Sequence, residues 1–174
     1  LPLQFQPGTR CACRTERCIM TSNHQQQAIA HIEQIAAQGG FSRHDDSDDA
    51  LFYARDRFVQ HIDGQALQTI EQVIGTLITE RAPRILDLMA SWDSHVPASV
   101  QPAELTVLGL NEDELQANAA ATRVVLHDLN ASPELPLDDG HFDVVLNTVS
   151  VDYLTRPLEV FREVGRVLAP GGLY

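Results

Sequence analysis

Four polar residues each follow a short apolar run that is typical of a buried strand: Asp87, Asn111, Asp128 and Asn147. Aspartate and asparagine are also good turn and helix-cap residues, so any one of them alone indicates only a turn. If the four runs are strands of one parallel sheet, all four residues lie at the same edge, which is where such sheets bind ligands. A row of hydrogen-bond acceptors there suits a nucleoside-like ligand, because ribose hydroxyls and amino groups are donors.

The elements that would position these residues alternate between strand and helix. Short runs rich in Val and Leu predict four strands, at residues 84–88, 105–110, 123–128 and 142–147. Apolar residues at helical spacing predict helices at residues 25–38, 64–80, 112–119 and 157–168. Continuous apolar strands alternating with helices are typical of a parallel sheet covered on both faces. The predicted fold class is therefore α/β, a doubly wound parallel sheet.

The composition indicates one globular domain with an acidic surface. The chain has 174 residues, of which 44% are hydrophobic, and 12 Lys and Arg against 24 Asp and Glu give a net charge of −12. Such a charge argues against a nucleic-acid backbone or an anionic membrane as partner. No apolar run approaches the ~20 residues that span a bilayer. We therefore expect neither of these partners, and we expect a cytoplasmic protein because residues 1–18 lack the apolar stretch of a secretory signal.

The cysteines all lie near the start of the chain, at Cys11, Cys13 and Cys18. Three clustered thiols are one short of a closed zinc site, and an odd number does not form a disulfide framework. We predict no metal site. The predicted organisation is a disordered leader at residues 1–22, a helical or lid segment at 23–80, and a partial sheet domain at 81–174.

The second half of the chain carries a more specific pattern. A Leu135-Pro136-Leu137 turn comes first, and the sequence Asp-Gly-His-Phe-Asp at residues 139–143 then leads into the fourth strand. A helix follows and ends in Arg-Val-Leu-Ala-Pro-Gly-Gly at residues 166–172. In order and spacing these elements resemble the class I S-adenosylmethionine-dependent methyltransferases of the small-molecule type, methyltransferase type 11. The resemblance extends over residues 50–174.

This resemblance implies a Rossmann-like sheet, S-adenosyl-L-methionine as cofactor, a small-molecule substrate, and a set of cofactor-binding residues. That set is Asp87, Met89, Ala90, Ser91, Asn111, Asp128, Leu129 and Asn147. Asp128 and Leu129 would frame the adenine, and Asn111 would accept from the ribose. Tyr53, His61 and Asp63 fall where the family's helical lid meets the active site. No catalytic residue is predicted, because aligning the nucleophile with the methyl carbon supplies most of what methyl transfer needs.

Two departures from the family pattern leave a second reading open. Met89, Ser91 and Asp93 occupy the three glycine positions of the family's first loop, where a side chain would hinder close approach of the backbone to the ligand. Asn111 replaces an acidic residue, which costs on the order of 1 kcal/mol of charge-assisted hydrogen bonding. The alternative is a non-catalytic, methyltransferase-like binding module. A nicotinamide dehydrogenase is set aside because the Gly-x-Gly-x-x-Gly fingerprint is missing.

The sequence assigns no role to three aromatic side chains near the predicted site, Trp92, His95 and His127. Trp92 fits equally a wall of the pocket and an anchor for the lid. His95 and His127 are assigned no function, because a histidine beside a strand end is more often simply hydrogen-bonded.

The end of the chain predicts a truncated domain. The family that the chain resembles has a sheet of seven strands, and only two residues follow the Pro170-Gly171-Gly172 turn, so the resemblance implies that strands five to seven are absent. Strand four would then be an apolar edge that invites self-association. One flank of the helix at 157–168 would be uncovered, exposing part of Leu158, Phe161 and Val164. We expect an active enzyme as the full-length protein and an inactive chain as written.

Overall fold

The computed structural model describes residues 26–45 and 47–174. The chain divides into two compact units, residues 1–40 and 41–174. In the first unit residues 26–37 form helix α1, and Gly39 ends it with a φ of 75°, as the Gly39-Gly40 pair predicts. The predicted leader at residues 1–22, with its three cysteines, lies outside the described residues.

The second unit contains a sheet of five parallel strands, in the order β3-β2-β1-β4-β5. The strands are β1 Arg84–Leu88, β2 Glu104–Gly109, β3 Arg123–Leu126, β4 Phe142–Leu146 and β5 Leu168–Leu173. The chain winds outward from β1 to β3 and then returns to the other side of β1 with β4. This confirms the predicted α/β, doubly wound, Rossmann-like class. The winding reverses between β1 and β4, which is where such sheets bind ligands.

Helices of this unit are shorter than the sequence predicts. They are α2 Asp49–Phe52, α3 Gly64–Leu77, α4 Glu112–Ala117 and α5 Pro157–Val167, with a single 3₁₀ turn at Val151–Tyr153. Asp63 caps α3 by accepting from the backbone N–H groups of Gln65 and Ala66. The connection between β1 and β2, residues 89–103, is described throughout and contains no helix. None of the described helices is both long enough and apolar enough to cross a membrane.

Two apolar layers cover the sheet, because successive strand residues point to opposite faces. One layer packs α5 against the sheet and includes Leu86, Leu88, Leu108, Val145, Val160 and Val164. The other packs α3 and α4 against it and includes Ile74, Ile85, Leu105, Val107, Leu115 and Val144. Edge strand β3 is the exception, since Val124 and Leu126 are exposed.

Strand five is present in the sheet, so the prediction that it is only begun is wrong. β5 pairs with β4 at two places, Phe142 with Leu168 and Val144 with Leu173, and an irregular bulge separates them. The Pro-Gly-Gly sequence lies inside this bulge, where Gly171 has a φ of 86°. β4 is therefore paired on both sides, by β1 and β5, and the predicted apolar edge at β4 is also wrong. The edges of the described sheet are β3 and β5.

Burial along α5 agrees only in part with the predicted exposed flank. Val164 is buried at 2% exposure, whereas Phe161 is 39% exposed. The Phe161 ring lies against that of Tyr174, with 5.8 Å between the centroids. Of the three predicted residues, Phe161 is thus exposed, Leu158 is half-buried and Val164 is buried.

Candidate functional site

A cavity of about 470 Å³ opens at the carboxyl ends of strands β1 to β4. Its size lies within the range of ordinary small-molecule sites. Seven of the eight predicted cofactor-binding residues line it: Asp87, Met89, Ala90, Ser91, Asn111, Asp128 and Leu129. Asn147 is outside the lining, and its side chain accepts from the Ser150 hydroxyl at 2.8 Å. The topology thus brings most of the predicted set to one place.

The loop after β1 adopts a left-handed backbone conformation at one of its three predicted glycine positions. Met89, at the first glycine position, has a φ of 54°, a left-handed conformation that costs a non-glycine residue about 1–2 kcal/mol. The Ala90 N–H donates to the Leu108 carbonyl at 2.8 Å. A Cβ on Gly109 would lie 2.5 Å from the Ala90 carbonyl oxygen, so only glycine allows the loop to lie this close to β2. Sequence reasoning missed Gly109, because its constraint comes from a loop distant in the chain.

Asp87 is an acid held in an unusual state at the base of the cavity. It is 4% exposed, and this burial raises its pKa to about 7 although the Ser94 hydroxyl bonds to the carboxylate. The neighbouring charge of Asp93 raises the pKa further. Ser94 is fixed in turn by the Asn118 amide, which donates to its hydroxyl at 2.9 Å. Near neutral pH this carboxyl group can therefore act as a donor or as an acceptor.

Asn111 is held by contacts within the protein. Its Oδ1 accepts from the Glu114 backbone N–H at 2.9 Å, which caps α4 as predicted. Its Nδ2 donates to the Tyr53 carbonyl at 2.9 Å and to Asp56 Oδ1 at 3.0 Å. The amide therefore links the end of β2 to the segment around Tyr53.

Glu114 is a cavity-lining carboxylate that is not among the predicted site residues. It is 6% exposed. Its Oε1 accepts from the Arg57 backbone N–H at 2.6 Å and its Oε2 from the Ser91 hydroxyl at 2.5 Å. Three separate parts of the chain meet at this side chain. The only sequence signal for it is its position one turn after Asn111.

Asp128 and Asn130 shape the cavity beyond β3. Asp128 Oδ1 accepts from the backbone N–H groups of Asn130 and Ala131, at 2.8 and 3.1 Å. The Asn130 amide was not predicted, and it donates to Asp49 Oδ2 at 2.8 Å and to the Tyr153 carbonyl at 3.1 Å. One oxygen of Asp128 thus forms the turn, and Asn130 connects that turn to α2.

Residues 49–61 form the outer wall of the cavity. Trp92 lines the cavity, and its Nε1 donates to the Val59 carbonyl at 3.3 Å, so it is both a pocket wall and an anchor. Tyr53 and His61 also line the cavity, and burial raises the pKa of Tyr53. Asp63 caps α3 instead. In this wall the structure brings two of the three predicted lid residues to the cavity.

His95 and His127 also line the cavity. His127 Nε2 lies 2.7 Å from the Ser132 carbonyl oxygen. The His95 backbone N–H donates to Asp93 Oδ1 at 2.9 Å. Within residues 26–45 and 47–174, no group of three His, Cys, Asp or Glu side chains is arranged to hold a metal ion.

Comparison with known proteins finds a family model that is similar to the second half of the chain. Residues 94–174 match the sequence model of a family described as "Methyltransferase domain". The match covers just under half of the chain, begins in the loop after β1 and includes strands β2 to β5. No curated protein matches the chain.

Several solved structures are similar to this chain. The YcgJ protein from Bacillus subtilis shares 21% identity, covering 61% of this chain and 50% of its own, with a TM-score of 0.49. A SAM-dependent methyltransferase from Thermotoga maritima shares 19%, covering 62% and 49%, with a TM-score of 0.49. Another from Mesorhizobium loti shares 24%, covering 62% and 49%, with a TM-score of 0.45. The chain thus spans about half the length of these proteins.

Proposed function

We propose that the protein transfers a methyl group from S-adenosyl-L-methionine to a small-molecule acceptor. The observation that carries this proposal is the cavity at the reversal point of the sheet, lined by seven residues from the ends of β1, β2 and β3. The methyltransferase domain match supports the same chemistry. Because the chain spans about half the length of the solved relatives, the activity is proposed for the whole protein.

The residues present fit such a cofactor. Met89 adopts the left-handed backbone conformation that glycine favours, and Gly109 lets the first loop lie close to β2. Loop residues 89–91 would then hold the amino-acid part of the cofactor. Asp128 and Leu129 would frame the adenine, with the second oxygen of Asp128 directed to the amino group.

When bound, S-adenosylmethionine supplies a methyl group on a sulfonium sulfur, which is already a good leaving group. The tasks left to the chain are to orient the acceptor and to keep water away. The cavity lining suits both, because Phe52, Tyr53, Trp92 and Tyr153 contribute aromatic surface to it. Asp87 can hold a proton on its carboxyl group near neutral pH and so offer a donor as well as an acceptor.

Isothermal titration calorimetry with S-adenosylmethionine and S-adenosylhomocysteine tests the proposal. We expect heat of binding for both and a rise in melting temperature, because a ligand that binds only the folded state stabilises it. Absence of heat and of any thermal shift at millimolar ligand would reject the cofactor and support the non-catalytic binding module. Transfer of labelled methyl groups to pools of small metabolites then identifies the acceptor class.

A further inference from the structure

The end of β2 lacks a free acceptor for the ribose of the proposed cofactor. Asn111 occupies the position, but Glu114 N–H is bound to its Oδ1, and its Nδ2 is shared between Tyr53 and Asp56. An amide nitrogen is only a donor, so the side chain offers no more than the second lone pair of Oδ1. Two neighbouring hydroxyl donors would exceed that capacity.

Glu114 has the capacity that Asn111 lacks. It lines the same cavity one helical turn later, and each of its oxygens accepts one hydrogen bond, from Arg57 N–H and from Ser91 Oγ–H. A carboxylate has about four acceptor sites, so one remains on each oxygen. Two acceptors side by side match the two donors of a vicinal diol, and hydrogen bonds to a carboxylate are stronger than those to an amide.

The surroundings of Glu114 also favour a ligand with donors. In the described part of the chain both of its hydrogen-bond partners are neutral groups, although the side chain is only 6% exposed. A buried carboxylate without a cation is costly unless hydrogen bonds satisfy it. Further donors from a ligand would reduce that cost. Ser91 and Arg57 meanwhile fix the direction of the carboxylate from two sides.

We therefore infer that Glu114, and not Asn111, is the side chain that accepts from the 2′ and 3′ hydroxyls of the cofactor ribose. This inference rests on the proposed function. The ribose-binding carboxylate would then lie in the first turn of α4, three residues after Asn111 at the end of β2.

The variant Glu114→Gln tests the assignment. Glutamine can still accept from Arg57 N–H through its carbonyl oxygen and can donate to the Ser91 hydroxyl, so we expect it to fold. Calorimetry compares S-adenosylhomocysteine with its 2′-deoxyribose analogue in each protein. We expect the unsubstituted protein to prefer the ribose compound by about tenfold, and Glu114→Gln to reduce this preference to about twofold or less.

Glu112→Gln is the matched control. It makes the same charge change in the same turn of α4, but Glu112 is exposed and bonds only to Gln116 among the described residues. We expect it to keep the full ribose preference. If Glu112→Gln reduced the ribose preference to the same degree, the loss would come from the change in net charge near α4 and the inference would be overturned.

Asn111→Ala keeps the assignment testable even if Glu114→Gln fails to fold. Loss of the cap should lower stability but leave the ribose preference intact, and a collapse of the preference would return the role to Asn111. A full preference in Glu114→Gln would likewise overturn the inference while leaving the proposed function standing. If the unsubstituted protein binds neither compound, the proposed function itself fails.

Discussion

At the scale of single residues, Asp87 couples the cavity to pH. In the unfolded chain an aspartate loses its proton near pH 4, whereas burial raises the pKa of folded Asp87 to about 7. Between these values the folded state binds more protons than the unfolded state. The contribution of Asp87 to the free energy of unfolding therefore falls as the pH rises through this window and is constant above it. Strongly shifted pKa values that lower stability in this way are typical of functional sites.

Asp87→Asn should therefore stabilise the domain, and more so at higher pH. Asparagine can still accept from the Ser94 hydroxyl and never ionises. We expect a gain of up to about 4 kcal/mol at pH 8, and a gain about 1 kcal/mol smaller at pH 6. Urea denaturation at the two pH values measures both. Asp113→Asn, an exposed change on α4, is the control. A gain independent of pH would contradict the raised pKa.

Two variants of Asp128 separate its role in the turn from its proposed role in ligand binding. Asp128→Asn keeps an oxygen for the N–H groups of Asn130 and Ala131 but removes the charge, whereas Asp128→Ala removes both. If the carboxylate meets the adenine amino group, both variants should weaken S-adenosylhomocysteine binding by about 1–3 kcal/mol. Only the alanine variant should lower the melting temperature. Equal affinity in Asp128→Asn and the unsubstituted protein would restrict Asp128 to the turn.

The sequence predicts correctly the cavity residues that follow the ends of β1, β2 and β3. Asp87, Asn111 and Asp128 all lie at the cavity because parallel strands deliver their carboxyl ends to one edge. Glu114 and Gly109 could not be found in this way. Each is constrained by a part of the chain that is distant in sequence, Arg57 for one and Ala90 for the other.

At the scale of elements, strand positions were predicted closely and helix ends were not. β1 was predicted without error and β2 to within one residue, because buried Val and Leu runs determine them. The boundary between α5 and β5 was misplaced because Pro-Gly-Gly normally ends an element. Here the same residues form a bulge within β5, since Gly171 can adopt a positive φ and the chain can rejoin β4 at Leu173.

Two glycines test the role of the bulge. A Cβ on Gly171 or on Gly165 would meet nothing within 4 Å, but Gly171 has a φ of 86° and Gly165 is helical. Gly171→Ala should therefore destabilise the domain by about 1–2 kcal/mol through backbone strain alone. Gly165→Ala should stabilise it by about 0.5–1 kcal/mol. Thermal and urea denaturation measure both, and similar effects at the two positions would argue against the bulge.

At the scale of the whole molecule, the net charge opposes self-association of the chain, whereas an exposed sheet edge favours it. A charge of −12 keeps copies of the chain apart. Edge strand β3 has unpaired backbone groups beside two exposed apolar side chains, Val124 at 37% and Leu126 at 50%, which favours pairing with another copy. We therefore expect self-association at β3, increasing as salt screens the charge.

Leu126→Lys should reduce this self-association, because lysine on an edge strand discourages pairing. Leu77→Lys makes the same change of charge at a side chain that is 55% exposed on α3. Sedimentation velocity over a range of protein concentrations compares the two variants at high and low salt. We expect Leu126→Lys to shift the distribution toward monomer and Leu77→Lys to have little effect. Equal shifts would assign the association to charge alone.

The outer wall of the cavity has a consequence for the order in which the domain folds. Its attachments are long-range in sequence: Asp49 to Asn130, Tyr53 to Asn111, and Val59 to Trp92. None of them can form before the strand ends are assembled, and a four-residue helix such as α2 is not stable alone. We expect residues 49–61 to become ordered after the sheet and to open before it, with amide hydrogens that exchange faster than those of β1. A ligand would then reach the cavity through a local opening of this wall while the sheet remains folded.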